Sequence, residues 1–191
     1  SDTLLSRPSV STAVTNGTFS TNITGWTDGS DAGGVAAWDT GNYLKLTSNG
    51  TARAIAYQQV TVGVSDRNVE HALRIVINRG PVTLKIGTTN GGEEYQSETN
   101  LDQGTHSISF TPANNFYIQF SATFIYKVRV SNCTIESSGV VTIPTNWLAA
   151  ALGNIRYDQS ADVLYVACDG YAPQKIERRG THPGRRSWSV C

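Results

Sequence analysis

Val69-Glu-His-Ala-Leu-Arg-Ile-Val-Ile-Asn-Arg-Gly-Pro-Val-Thr-Leu-Lys-Ile86 is the stretch on which the fold class turns. Val69, His71, Leu73, Ile75 and Ile77 fall on one side of an extended chain, with Glu70, Arg74 and Asn78 on the other. Val82, Leu84 and Ile86 then alternate with Thr83 and Lys85. Successive side chains of a strand point to opposite faces, so a period of two predicts strands with one buried face. Arg79-Gly80-Pro81 supplies the turn between them.

The same pattern recurs outward in both directions. Ile108 and Phe110 precede a turn at residues 111–115, and Phe116, Ile118 and Phe120 alternate with Tyr117 and Gln119. A run from Phe124 to Glu136 shifts its phase near Ser131, which predicts a bulge. Tyr43 to Thr47 and Arg53 to Val62 are earlier strand candidates. Eight or nine short strands at this spacing predict an all-β sandwich. A single helix is expected, over Thr145 to Gly153, capped by Thr145 or Asn146 and ended by Gly153.

Residues 155–190 predict three more strands, Asn154 to Tyr157, Val163 to Ala167 and Gln174 to Arg178, and a fourth beginning at Trp188. Asp169-Gly170 is the turn expected between the second and third. A few short strands without a covering layer cannot bury enough apolar surface to stand alone. They are expected to need a partner, either the preceding domain or further chain of a larger protein. The expected organisation is a sandwich over residues 1–139, a linker over 140–153, and a strand segment over 154–191.

Composition agrees with this class. Charged residues make up 16% of the 191, so a long polar tail or a charged helical bundle is excluded. No apolar run approaches the roughly 18 residues that span a bilayer as a helix, and no membrane partner is expected. Residues 1–8 lack the basic and apolar blocks of a signal peptide. Net charge is zero, yet Lys175, Arg178, Arg179, Arg185 and Arg186 cluster against one acid, Glu177. Without interleaved aromatics that cluster reads as a solvated face or subunit contact, and nucleic acid is not an expected partner. Cys133, Cys168 and Cys191 are far apart, and His71, His106 and His182 are scattered. Neither set has metal-ligand spacing.

Residues 16–62 carry a more specific order: Asn16-Gly-Thr-Phe19, Gly25-Trp26, Gly33-Gly-Val35, Tyr43-Leu-Lys-Leu46 and Tyr57-Gln-Gln-Val-Thr-Val62. This order resembles the jelly-roll carbohydrate-binding modules that accompany polysaccharide hydrolases, over roughly residues 10–136. The resemblance implies a jelly-roll sandwich, and Phe19 and Trp26 are large enough to plug its ends. That family commonly places an acid after the Phe as part of a structural calcium site. Here Ser20 stands there, and Asp2, Asp28 and Asp31 do not supply the ligand spacing of a calcium loop. No cofactor and no metal is expected.

Sugar recognition uses aromatic faces for ring C–H surfaces and planar polar groups for hydroxyls. The candidate residues are Trp38, Tyr57, Arg74, Tyr95, Gln96 and Tyr117, with Arg53, Glu94 and Gln119 as further polar partners. Trp38 and Tyr95 lead, because they lie in Gly-flanked, loop-like sequence where packing explains an aromatic less well. Catalysis is not expected. Glu93 and Glu94 are adjacent, hence on opposite faces of a strand, and no Gly-x-Ser-x-Gly elbow or phosphate loop occurs.

The terminal run, Ile155 to Val166 with Tyr171-Ala-Pro-Gln-Lys-Ile-Glu-Arg178 and Trp188-Ser189, resembles a segment of tail-associated proteins of tailed bacteriophages and prophages. There it opens a propeller-like β assembly. The resemblance covers residues 8–190 and implies a non-enzymatic virion component whose jelly-roll module adheres to a cell-surface carbohydrate. Its other partners would be virion subunits or the remainder of a longer chain. A structural spacer and an accessory module of a polysaccharide-degrading enzyme are the alternatives.

Overall fold

A computed structural model describes residues 5–179 and 187–191; Asp2, His182, Arg185 and Arg186 of the readings above lie outside them. The chain is an antiparallel β-sandwich. One layer has the order β2 (Thr27–Asp28), β5 (Ala54–Val60), β10 (Phe116–Ala122), β7 (Val82–Gly87), β8 (Gln96–Leu101). The facing layer runs β3 (Gly34–Asp39), β4 (Tyr43–Ser48), β11 (Val128–Ile135), β6 (His71–Arg79), β9 (Gly104–Phe110). Beyond β9 that layer continues through β16 (Ser187–Val190), β15 (Gln174–Arg179), β14 (Val163–Cys168) and β13 (Ile155–Ser160), making nine strands. A short ribbon of β1 (Ser6–Arg7) and β12 (Gly139–Val140) completes the set.

The alternation read from the sequence faces the core. Leu73, Ile75 and Ile77 from β6 meet Leu84 and Ile86 from β7 and Phe116, Ile118 and Phe120 from β10, all essentially inaccessible. Trp26 stacks on Phe120 at 5.7 Å and tilts against Phe19 at 5.6 Å, so both motif aromatics are buried in the core. Gly17 of the Asn16-Gly-Thr-Phe19 motif has a packing reason: a Cβ there would lie 2.0 Å from the Cys133 carbonyl oxygen, and Gly17 accepts the Cys133 N–H. Register shifts on either side of Val130 leave Ser131 outside the residue-by-residue pairing with β6, which is the expected bulge.

Two expectations fail locally. Thr145 to Gly153 forms no α-helix. The chain makes a single 3-10 segment, Ala149–Asn154, whose cap residue Leu148 gives no side-chain bond. Leu148 and Leu152 stay exposed and no residue of the segment is buried, so no apolar face holds a longer helix against the sheet. The second failure concerns β3, a strand where sequence suggested a loop around Trp38.

The terminal strands find their partner in the sandwich. Trp188, Ser189 and Val190 pair with Ser107, His106 and Thr105 of β9. His106 is fully buried at this seam, its Nδ1 2.7 Å from Ser189 Oγ and its Nε2 2.9 Å from the Asp102 carbonyl. The Ser109 N–H donates to Ser187 Oγ at 2.9 Å. Gly104 permits the approach, since at φ 147° a Cβ would sit 2.1 Å from the Val190 carbonyl oxygen. The expected pairing of the Tyr165 and Ile176 strands is present, although the connection spans residues 169–173 rather than Asp169-Gly170 alone.

Charge is largely paired within the fold. Arg7 is buried between Glu70 (2.8 Å), Glu136 (3.0 Å) and Ser107 Oγ (2.8 Å), covering the outer side of β6 and β9. Asp66 accepts from the backbone and hydroxyls of Thr12 and Ser11. Those bonds, Thr12's first, hold its carboxyl down at about 2 and latch residues 11–12 to the sandwich. In the described part of the basic cluster, Arg178 bonds Asp162 at 2.6 Å, and Lys175 and Arg179 flank Glu177.

Candidate functional site

Burying Phe116, Ile118 and Phe120 turns Tyr117, Gln119 and Ser121 to the outer face of the five-stranded layer. Burying Ala54, Ala56 and Val60 does the same for Tyr57 and Gln59 on β5. Register then sets the neighbours. Gln119 lies between Tyr57 on β5 and Lys85 on β7, and Tyr117 lies between Gln59 and Gly87. Directly opposed residues of antiparallel strands bring their side chains within contact range. The Tyr57 and Tyr117 rings accordingly stand 6.5 Å apart, tilted 45°.

Gln119 is the unusual member of this face. It is only 8% exposed, yet its amide makes no hydrogen bond among the described residues. Neither of its amide atoms is among the fully buried unpaired ones, so the amide reaches solvent at this face, where a ligand hydroxyl can take the place of water. The Tyr57 and Tyr117 hydroxyls likewise bond no described residue. Gly29 lies against the Tyr57 ring, where a Cβ would come within 2.8 Å of Cε1.

The far side of the face is built by the loop after β7. Gly87 has no room for a Cβ beneath Gly92 and Glu94, and Gly91, at φ 77°, comes beside the Gln119 amide. Glu94 accepts the Thr88 N–H at 2.9 Å, which lowers its carboxyl below the usual range. Lys85 bonds Glu93 at 2.8 Å and Glu98 at 2.9 Å. The Lys85 partnership lowers Glu93 in turn. General acids near neutral pH need raised carboxyl pKa values, and the shifts of Glu93 and Glu94 run the other way. The face can present aromatic surface, an amide and a fixed ion cluster.

The sequence candidates separate in space. Tyr57, Tyr117 and Gln119 converge here, with Glu94 at the loop. Trp38 sits on β3 opposite Leu44, packs on the core rim and donates Nε1–H to the Phe19 carbonyl at 2.7 Å. Tyr95 packs on the core with its ring 5.8 Å from Phe110, and its hydroxyl accepts the Ala113 N–H. Packing therefore accounts for both aromatics that sequence placed in loops. Gln96 bonds Thr99 and Ser97. Arg74 lies on the other layer, tied to Glu136 at 2.9 Å and the Thr142 carbonyl. Arg53 caps the end of β5 on Asp31 at 3.0 Å. Glu93, which the sequence offers only as half of an adjacent carboxylate pair, lies in the loop after β7 and not on a strand, and outward alternation between Leu84 and Ile86 marks Lys85.

For metals, no group of three His, Cys, Asp or Glu side chains comes together among the described residues. Asp28 accepts from Ser30, and Asp31 is engaged by Arg53. Cys133, Cys168 and Cys191 are free thiols. No protein-family model matches this chain, and no curated protein matches it.

Proposed function

We propose that the chain is a non-enzymatic component of a bacteriophage tail-associated protein, whose jelly-roll module holds a cell-surface carbohydrate on the outer face of the five-stranded layer. The observation that carries the binding half is the Gln119 amide, which reaches solvent beside the paired Tyr57 and Tyr117 rings and, like their hydroxyls, bonds no described residue. Rings offer their faces to sugar C–H surfaces, and the amide offers two donors and an acceptor to neighbouring hydroxyls. The virion half rests on the sequence resemblance of residues 8–190.

An open face with two tyrosines binds weakly, and many copies on one particle would supply avidity. Titration against host-surface polysaccharides and a glycan array tests this directly. Tyr57→Ala, Tyr117→Ala and Gln119→Ala are each expected to weaken binding about five- to thirtyfold, the range of one lost stacking or amide contact. Trp38→Phe, on the core rim, should leave affinity unchanged. Absence of any binding at millimolar sugar would sink the carbohydrate reading.

A further inference from the structure

β13 is the outer edge of the nine-stranded layer, and among the described residues no strand pairs along its far side. The direction of its backbone groups follows from its neighbours. Lys175 and Cys191 exchange both backbone bonds, and the Arg178 N–H donates to the Asp162 carbonyl. In an antiparallel ladder bonded pairs alternate with unbonded ones. Leu164 and Val166 therefore bond toward β15, and Val163, Tyr165 and Ala167 bond toward β13. That assigns the backbone groups of Arg156, Asp158 and Ser160 to β14. Ile155, Tyr157 and Gln159 aim theirs at the open edge.

Two of these edge groups are capped by side chains of the same strand. Arg156 Nη1 donates to the Ile155 carbonyl at 2.9 Å, and Asp158 Oδ1 accepts the Gln159 N–H at 2.9 Å. The Ile155 N–H is already used, donating to the Leu152 carbonyl. Among the described residues Tyr157 keeps both of its backbone groups open, and it is 73% exposed. Neither Arg156 nor Asp158 has an ion-pair partner among the described residues.

We propose that β13 is an interface between two copies of this chain, paired antiparallel about a two-fold axis at Tyr157. Edge-facing residues must oppose edge-facing residues, which restricts the register to steps of two. Centring on Tyr157 places Arg156 of each copy opposite Asp158 of the other, twice. Moving the axis one residue back opposes Arg156 to Arg156, and one residue forward opposes Asp158 to Asp158. Like charges directly opposed are destabilising, and of these registers only the one centred on Tyr157 opposes Arg156 to Asp158. In that register Tyr157 exchanges both backbone bonds with its twin, and the Gln159 N–H meets the Ile155 carbonyl of the other copy. The two capped groups thus bond each other, and the freed Arg156 and Asp158 side chains become the cross-copy ion pairs. A self-complementary patch of this kind is what a two-fold interface requires. It joins two nine-stranded layers into one sheet, and exposed Tyr165, opposite Asp158 on β14, flanks the junction. The proposal is independent of carbohydrate binding.

Sedimentation equilibrium of the full chain tests it, reading mass against a 20.6 kDa protomer. Wild type is expected to reach twice that mass by about 100 μM. Asp158→Arg, which makes every opposed pair Arg on Arg, should raise the dimer dissociation constant at least tenfold. The double change Arg156→Asp with Asp158→Arg restores opposite charges in the same register and should recover the dimer. Tyr157→Pro removes an N–H that serves only the edge, so it should abolish the dimer while retaining the β-sheet circular dichroism. A wild-type mass that stays at one protomer, or a charge swap that fails to recover association, overturns the proposal whatever becomes of the proline variant.

Discussion

Acidification should loosen the terminal strands through one side chain. His106 is buried at the β9–β16 seam, and loss of hydration pushes its pKa from 6.5 down to about 4. Its charged surroundings are mixed: the Arg179 guanidinium lowers the value further, while the Asp102 carbonyl, the Asp102 carboxylate and Glu177 raise it. The unfolded chain, protonating near 6.5, binds a proton before the folded chain does. Stability conferred by the neutral, bonded imidazole is therefore complete above about pH 6.5 and is lost as pH falls toward 4. From the two pKa values this single group should cost about 2 kcal/mol by pH 5 and about 3 kcal/mol by pH 4.

Urea midpoints at pH 7 and pH 5 read that loss, with His106→Gln as the comparison because its amide keeps bonding capacity without titrating. Wild type should lose about 2 kcal/mol more than the variant over that interval. Carboxylates contribute to both proteins equally, and Asp66, held at about 2, loses its stabilising contribution only as pH falls from 3.8 toward that value. Hydrogen exchange should locate the early opening at Ser187–Val190 and Gln174–Arg179, ahead of the sandwich core. Equal losses in wild type and His106→Gln would refute the reasoning, and so would exchange that rises uniformly over both layers.

Two further outcomes are expected. Gly104→Ala combines a strained φ with a clash against the Val190 carbonyl and should cost about 2–4 kcal/mol by urea unfolding, with the terminal strands losing exchange protection first. Cys133 is inaccessible and burial pushes its thiol far up, so a thiol reagent should leave it unmodified in the native protein while reaching the half-buried Cys191.

How much of this was legible depended on whether a signal was local. Leu73, Ile75, Ile77 and Leu84, Ile86 alternate within their own strands, and the chain places all five in the core. The bulge at Ser131 was equally readable, as a break in phase inside one segment. Trp38 was misplaced because β3 is made of Gly, Val and Ala, residues with little period-two contrast, and it becomes a strand by pairing with β4. Tyr57 and Tyr117 were found singly, but their approach depends on the β5–β10 register, which no local pattern encodes.

The terminal strands show the same limit from the other side. Sequence predicted that they needed a partner; what it left open was which surface would serve. That choice falls to groups with no strand signal of their own. Gly104 leaves room for the Val190 carbonyl, and His106 and Ser109 each take a serine of β16. Docking on β9 then moves the exposed edge of the sheet out to β13, four strands away from the core. Edges of this kind are either blunted or used. Arg156 and Asp158 do the first in the single chain by covering the Ile155 and Gln159 backbone groups, with chemistry that would serve the second without any new residue. The same two side chains protect the edge when it is alone and complement it when a second copy arrives, so the charge-swap experiment bears on both states at once.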